Sequence, residues 1–532
     1  MKKHFLLLFS SVSTILILFS GCQKQLDLVP TNDITSEKIY STAEGYTQVM
    51  AKVYGSFATT GNQGPAGQGD ISGDEGFSDF NRTFWYLQEL STEEAIWSYY
   101  DNGATDFHDM KWTSTNAFVR QLYRRSYFQI VMCNEFIGEA SDSKLSDRGI
   151  GGADATKIKL FREEARFLRA FQYWVLMDLY GNVPFVTSLV SDPPPQKDRK
   201  FIFNFVESEL KDLENKLSEP RGVEYGRVDK GSVWALLSRM YLNAEVYTGE
   251  NRYTDAITYA QKVIDNYTLN KNYGRLFMAD NHLFRNEMIF AIPYDGLKTQ
   301  GYGGANTLIH GSIFPNAPLS MKPADYGVST GWNCLRTTKN LPMLFTDSGF
   351  GTNKDTRAMF HRTGATIDIA KILGGTDGYK VVKYKNIDSS GLSPRDKTGA
   401  FVDVDMPLFR AAEMYLIYAE ATLRGGAGGS LGTALELINK LRTRAYGDET
   451  GNITPGELTL DFIIDERGRE LYWEGHRRTD LIRFRRFTES SYLWPFKGGA
   501  LNGKGVSSHL NIYPIPSTDL TSNPNLKQNP GY

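Results

Sequence analysis

Three carboxylates in the C-terminal part of the chain, Glu466, Glu470 and Glu474, recur at i, i+4 and i+8, a spacing that places all three on one face of a helix. Two acids flanking a scissile bond are what glycoside hydrolysis requires. These three, however, are interleaved with Arg467 and Arg469, and Arg477 and Arg478 follow beyond Gly475. Alternating opposite charge at helical spacing reads as an ion-pair network that holds the last helices together, not as an acid and base pair. His476 stands beside two arginines, which repel a metal cation, and no second His lies at ligand spacing, so no metal is expected. Asp70-Ile71-Ser72-Gly73-Asp74-Glu75-Gly76 begins like a calcium loop, but Asn81 falls where an EF-hand places its bidentate glutamate. A solvated acidic loop is the expectation there. Segments such as Gly61 to Gly69 lack the lysine of a phosphate cradle, and no strand-to-helix context supports a nucleophile elbow or dinucleotide fingerprint. No cofactor is expected, and no enzymatic activity.

A different chemistry is offered by aromatic residues set among glycines and short polar side chains. A sugar presents a flat patch of C–H on one face and hydroxyls at its rim, so a neutral glycan site combines exposed rings with hydrogen-bonding side chains. Trp97-Ser98-Tyr99-Tyr100-Asp101-Asn102 carries three rings and two polar partners beside Gly103. A second group comprises Tyr302 within GYGGAN, Tyr326 within ADYGVS, and Trp332 with Asn333 within TGWNC. Arg357, in DTRAMF, joins the candidates as a ligand contact, against the alternative of a structural salt bridge. Against the binding reading of the first segment stands a plainer one, in which Trp97 and one tyrosine are core anchors.

What positions these residues is a predominantly helical scaffold. The 532 residues are 41% hydrophobic and 23% charged, a composition that can bury a large core. Lys and Arg (59) nearly balance Asp and Glu (61), so no basic field exists to attract nucleic acid. Trp234-x₂-Leu237-Ser238-x₂-Tyr241 followed by Ala256-x₃-Ala260-x₂-Val263 tracks tetratricopeptide spacing, with Ser in place of Gly. Asp229 is placed to cap the first of these two helices, and Thr248 to Asn251 supply the turn. A second pair is expected from Met406 to Leu423 and from Leu431 to Ala445, joined by RGGAGGS. Looser pairs are Phe161 to Leu179 with Phe201 to Leu217, and Leu460 to Trp473 with Asp480 to Phe487. Each pair leaves an apolar face that only a neighbouring pair can cover, so the pairs must stack. Residues 61–111 and 296–404 lack sustained helical periodicity and are rich in Gly, Asn, Asp, Tyr and Trp. Loops of this length in a compact chain are usually functional. The expected fold class is therefore mainly α, a helix-pair scaffold (114–290 and 405–490) with long irregular loops and minor short β-strands, forming a single body over 42–532.

The N-terminus reads as an address. Lys2 and Lys3 precede an apolar run from Phe5 to Phe19, too short to span a bilayer and shaped like a signal peptide over residues 1–21. Small residues before Cys22 resemble a bacterial lipobox, with Phe19 at the position usually held by an aliphatic residue. Cleavage would leave Cys22 to carry lipid, with residues 22–41 as a tether and the first helix near Thr42 to Phe57. Acyl chains contribute about 0.8 kcal/mol per buried CH₂, which makes a multiply acylated terminus a stable anchor. Of the two remaining cysteines, Cys133 and Cys334, the sequence leaves the pairing open.

Several stretches together resemble the SusD/RagB family of surface glycan-binding lipoproteins: LDLVP (Leu26 to Pro30), FLRAFQYWVLMDLYGNVP (Phe167 to Pro184), EMIFAIPYD (Glu287 to Asp295), RAAEMYLIYAEA (Arg410 to Ala421), ELYWEGHRRTDLIRF (Glu470 to Phe484), YPIPSTDL (Tyr513 to Leu520) and the terminal NPNLKQNPGY. The resemblance implies a SusD-like fold whose irregular segments carry a glycan site. It further implies an outer-membrane lipoprotein at the cell surface that delivers its glycan to a TonB-dependent transporter of the SusC type. The alternatives are a surface glycoside hydrolase, a protein-binding tetratricopeptide scaffold, and a peptide-carrying variant of the family.

Overall fold

The computed structural model describes residues 36–61, 65, 69–71, 76–101, 103–345, 354–392 and 394–532. The signal-peptide, Cys22 and most of the tether readings, Asn102, and Ser72 to Glu75 of the acidic loop lie outside the described residues. Twelve principal helices are used below: α1 (Ala43–Gly55), α2 (Phe80–Glu89), α3 (Ala117–Glu139), α4 (Gly152–Tyr180), α5 (Arg199–Leu213), α6 (Lys230–Leu242), α7 (Tyr253–Ile264), α8 (Gly304–Ser312), α9 (Ala411–Leu423), α10 (Leu431–Tyr446), α11 (Leu460–Leu471) and α12 (Arg477–Arg483). Eight short strands accompany them: β1 (Ile96–Trp97), β2 (Val183–Pro184), β3 (Gln196–Lys197), β4 (Met288–Ile292), β5 (Leu335–Arg336), β6 (Phe360–His361), β7 (Lys380–Val381) and β8 (Met406–Arg410). The protein is mainly helical, and no described helix is long and apolar enough to cross a membrane.

The helices stack in chain order, α3 on α4, α4 on α5, α5 on α6, α6 on α7, then α7 on α9 and α9 on α10 and α11. The expected pair at α6 and α7 forms as the residue pattern requires. Asp229 Oδ1 accepts the Ser232 amide hydrogen at 3.2 Å while the Ser232 hydroxyl answers the Asp229 amide, a reciprocal cap. Ser238, where small residues let two helices approach, donates its hydroxyl to the Ala256 carbonyl of α7 at 3.0 Å. Buried apolar side chains run as one contiguous cluster from Tyr40 to Ile515.

Several helix boundaries differ from expectation. Helix α4 begins at Gly152, ahead of Phe161, and α12 spans Arg477–Arg483 in place of Asp480 to Phe487. Helix α11 ends at Leu471, which leaves Glu474 beyond the helix that carries Glu466 and Glu470. Met406 to Arg410 do not begin α9; they form β8, paired antiparallel with β4 through Met288↔Arg410 and Ile292↔Met406. All ten residues of the two strands are buried, and Phe290 and Phe409 pack into the aromatic core around Phe171. A continuous apolar run carries no period by which a buried strand can be told from a buried helix. The pairing has a consequence for function, because the excursion from 296 to 404 leaves and re-enters the scaffold through adjacent strands and is therefore clamped at its base.

The two excursions are also less irregular than their composition predicts. Each contains a helix buried on every side, α2 in the first and α8 in the second. In both, polar side chains such as Arg82 and Asn306 are buried along with the apolar ones, so burial does not follow residue type. Cys133 and Cys334 are both buried and unpaired with each other.

Candidate functional site

The two excursions are joined by a short two-stranded ladder. Strand β1 of the first pairs antiparallel with β5 of the second, Ile96 opposite Arg336 and Trp97 opposite Leu335, and the ladder continues with the Ser98 amide donating to the Cys334 carbonyl at 2.8 Å. Continuing that register sets Tyr99 opposite Asn333. Tyr99 is 48% and Tyr100 85% exposed. Large rings left in water at this level on a glycine-bordered loop are available to stack on a ligand.

The second loop is held against helix α8. Trp332, Asn333 and Cys334 donate their amide hydrogens to the carbonyls of His310, Ile313 and Gly311 at 2.7, 3.1 and 2.9 Å. This close approach needs Gly331 and Gly311: a Cβ on Gly331 would lie 2.3 Å from the Ile313 carbonyl oxygen, and one on Gly311 2.9 Å from a Leu335 methyl. The half-buried Trp332 ring stacks on His310, 4.8 Å between centroids and 17° from parallel. Burial pushes the His310 imidazole down, so it supports the indole as a neutral ring. Tyr302, 41% exposed, meets the edge of Trp332 at 6.4 Å and Phe401 at 5.7 Å. Asp79 fixes that corner, accepting the Arg82 amide hydrogen at the start of α2 and the Gly304 amide hydrogen at the start of α8, 2.7 and 2.9 Å.

Beneath the rings lies a buried cation. Arg82 is enclosed by the Phe77, Tyr86, Trp97 and Phe118 rings at 5.1 to 5.8 Å, and its Nη2 stands 4.0 Å from Asp101 Oδ2. The result is a shelf of partly exposed aromatic faces with a carboxylate and an amide among them, on a rigid base.

Comparison with known proteins was decisive for the family. Residues 367–532 match the model of the SusD family, and residues 63–242 match a model described as starch-binding associating with outer membrane. The starch-binding protein SusD of Bacteroides thetaiotaomicron is 35% identical over the whole of both chains. The chain belongs to the SusD family. A SusD-like protein, P38, of Formosa agariphila is 26% identical across 69% of this chain and 73% of its own. Among solved structures, a SusD superfamily protein of Bacteroides thetaiotaomicron superposes with a TM-score of 0.70 at 19% identity, covering 92% of this chain and all of its own. Surface glycan-binding protein A of Bacteroides fluxus gives 0.68 at 18%, with the same coverage. These two show a shared SusD-like fold.

Within this SusD-family chain, the structure brings Tyr99, Tyr100, Asp101, Tyr302, Trp332 and Asn333 to one surface and corrects two other candidates. Trp97 is only 4% exposed, because in the β1 ladder its side chain points inward onto Tyr86 and Arg82. It supports the shelf and is not part of it. Arg357 has no exposed surface at all: its guanidinium is bound by Asp355, Glu466 and Glu470. Tyr326 is half-buried, with Lys385 Nζ 5.7 Å from its ring, and makes no ring contact with the other candidates among the described residues. Arg82, His310 and Lys380, the side chains that hold the shelf from below, were not foreseen from sequence. Arg82 and His310 lie on enclosed helices without a local motif, and Lys380, which donates to Asn333 Oδ1 at 3.2 Å, reaches the site only through strand pairing.

Proposed function

We propose that this chain is a non-catalytic, cell-surface glycan-binding protein, with starch-like α-glucans as the first ligand class to test, and that it passes its ligand to a SusC-type TonB-dependent transporter. The single observation that carries the reading is the β1–β5 junction, which unites two glycine-rich excursions into one aromatic shelf with Asp101 and Asn333 among its rings. The full-length relative named for starch binding, and the family description that couples starch binding to the outer membrane, support the ligand class and the location. The carboxylates at helical spacing speak against the hydrolase alternative, since Glu466 and Glu470 are completely buried and Glu474 nearly so, each occupied by arginines. Rigid rings lose little conformational entropy on stacking, and single sugar contacts are modest, so binding in a weak range suited to release is expected.

Affinity electrophoresis of the purified protein through soluble starch, β-glucan, xylan and inulin tests this directly. Retardation by at least one gel without steady release of reducing ends is the expected result. Release in excess of the protein present, or retardation by none, would remove the proposal. For the anchor, we read Cys22 as the lipidated residue. Replacing it with serine is then expected to shift the protein from the membrane to the soluble fraction, and continued membrane retention of Cys22→Ser would refute lipidation there.

A further inference from the structure

The outward face of helix α3 is apolar where a helix face turned to water is ordinarily polar. Arg124, Tyr127, Phe128, Val131 and Glu135 recur at i, i+3, i+4, i+7 and i+11, one stripe along the helix. The middle three are aromatic or aliphatic: Val131 is 47% exposed, and Tyr127 and Phe128 are half-buried. With Pro184, Pro194 and Leu526 they line a groove of about 480 Å³. The Tyr123 hydroxyl, buried at its floor, makes no hydrogen bond among the described residues.

We propose that this groove holds the chain's own N-terminal segment, Leu26-Asp27-Leu28-Val29-Pro30, and so docks the tether onto the body; the inference is independent of the glycan reading. The described chain begins at Ser36, whose hydroxyl donates to Glu135 Oε1 at 3.0 Å. That contact lies on α3 one turn from Val131, at the end of the same stripe, so the preceding residues enter beside the groove. Helix α3 rises about 17 Å from Glu135 back to Arg124. The five residues 31–35 extend about as far, which brings Leu28 to Pro30 over Tyr127 and Phe128 with slack in hand. Chemistry agrees with reach. Within residues 23–35 the apolar side chains are Leu26, Leu28, Val29, Pro30 and Ile34, and four of them fall in one run of five residues. Such a run gains nothing in a solvated linker and is covered in an apolar groove. An extended segment also carries unpaired carbonyls, acceptors for the Tyr123 hydroxyl. Because the segment is attached, it meets its site at an effective concentration in the millimolar range, so a modest contact suffices. A second copy or another protein lacks that advantage.

Docking shortens the leash. With Leu28 seated, the five residues 23–27 separate Cys22 from the body and span about 20 Å, against about 50 Å for the thirteen residues 23–35 undocked. With Cys22 lipidated, as read above, the body is then held close to the membrane surface by its α3 face.

Disulfide trapping in the full-length protein, extracted in detergent, tests the inference. Under mild oxidation Leu28→Cys combined with Val131→Cys should form an intramolecular bond in most molecules. The rate should be at least about tenfold that of Leu28→Cys combined with Leu431→Cys, an exposed position on α10 at the other end of the helix stack. Cys133 and Cys334 are buried and do not compete. In parallel, Val131→Asp should speed chymotryptic cleavage after Leu26 and Leu28 about tenfold, with the melting temperature nearly unchanged because the substituted side chain lies at the surface. Equal trapping at positions 131 and 431, or cleavage unaffected by Val131→Asp, would overturn the docking. Disulfides that join two molecules through positions 28 and 131 would assign the groove to a second copy and overturn it as well. Both measurements read the segment against the body, so they decide the matter whether or not Cys22 carries lipid.

Discussion

Replacing Arg410 with methionine is expected to lower the folding stability by about 3–5 kcal/mol, read as a reduced urea midpoint at unchanged slope. Arg410 is the last residue of β8, and its guanidinium is satisfied on every side. Nε and Nη2 donate to the two Glu474 carboxylate oxygens at 2.6 and 2.8 Å, Nη1 to Glu470 and Glu287 at 2.6 and 3.0 Å, and Nη2 also to the Glu470 carbonyl at 2.7 Å. Three chain segments, the partners lying 60 to 123 residues from Arg410, are thus fastened at one point: the entry to β4, the end of β8, and the end of α11 with the turn that follows it. Methionine keeps most of the volume, so no large cavity accounts for the loss. The cost arises because three buried carboxylates lose one counter-charge and are left to Arg444, Arg357 and Lys383 alone. The double variant Arg410→Met with Glu470→Gln should recover part of the deficit, since one stranded charge is removed, and strict additivity of the two single effects would refute the network account. Acid gives a second readout. Burial pushes Glu470 up, but Arg444, Arg410 and Arg357 more than offset it and hold its pKa down at about 2. A carboxyl below its unfolded value of 4.5 contributes stability that is complete above pH 4.5 and lost as pH falls toward 2. The unaltered protein should therefore lose stability through that window more steeply than Glu470→Gln.

The same network shows where the sequence was legible. The acidic and basic residues of 466–478 pointed correctly to ion pairing, and Arg469 does bind Glu466 at 2.7 Å. Most of the partners, however, come from far away. Glu466, Glu470 and Glu474 are held chiefly by Arg357, Arg442, Arg444 and Arg410, while Arg467 turns to Asp480 and Arg477 to Glu93. Helical spacing fixes which residues share a face, and says nothing of which distant segment is packed on that face. Helix α6 was readable from its apolar repeat and the Asp229 cap, α10 from the glycines that precede it, and α7 from its alanine spacing. In helices α2 and α8 the polar side chains are buried beside the apolar ones, and β4 and β8 are buried throughout, so pattern did not reveal these elements. At the aromatic shelf, composition found the exposed rings but could not separate Trp97 from Tyr99. Ile96, Trp97 and Ser98 are all buried along the ladder, and exposure begins only at Tyr99, where the chain leaves it; that end point is set by a partner strand more than two hundred residues away.

That separation of Trp97 from its neighbours supplies the sharpest test of the glycan reading. Trp332→Ala is expected to weaken binding of soluble starch more than tenfold, and Tyr100→Ala severalfold, each with the melting temperature nearly unchanged. Trp332 lies on the surface of its loop, stacked on His310 and edge-on to Tyr302, so truncation removes a platform without opening the core. A ligand bound in the millimolar range is held by about 4 kcal/mol, and loss of one central ring contact of about 2 kcal/mol removes half of it. Trp97→Ala should behave in the opposite way. Its ring is buried against Tyr86 and beneath the Arg82 guanidinium, so removal creates a cavity costing about 3–5 kcal/mol. Much of the material should fail to fold, and the less severe Trp97→Phe should lower the melting temperature while its folded fraction retains starch affinity. The two measurements must therefore divide: affinity lost at Trp332 and Tyr100, stability lost at Trp97. If starch binding survives Trp332→Ala and Tyr100→Ala together, the shelf is not where the glycan lies. The exposure of these rings would then need another explanation, such as burial against a partner protein, which is the outcome the scaffold alternative predicts.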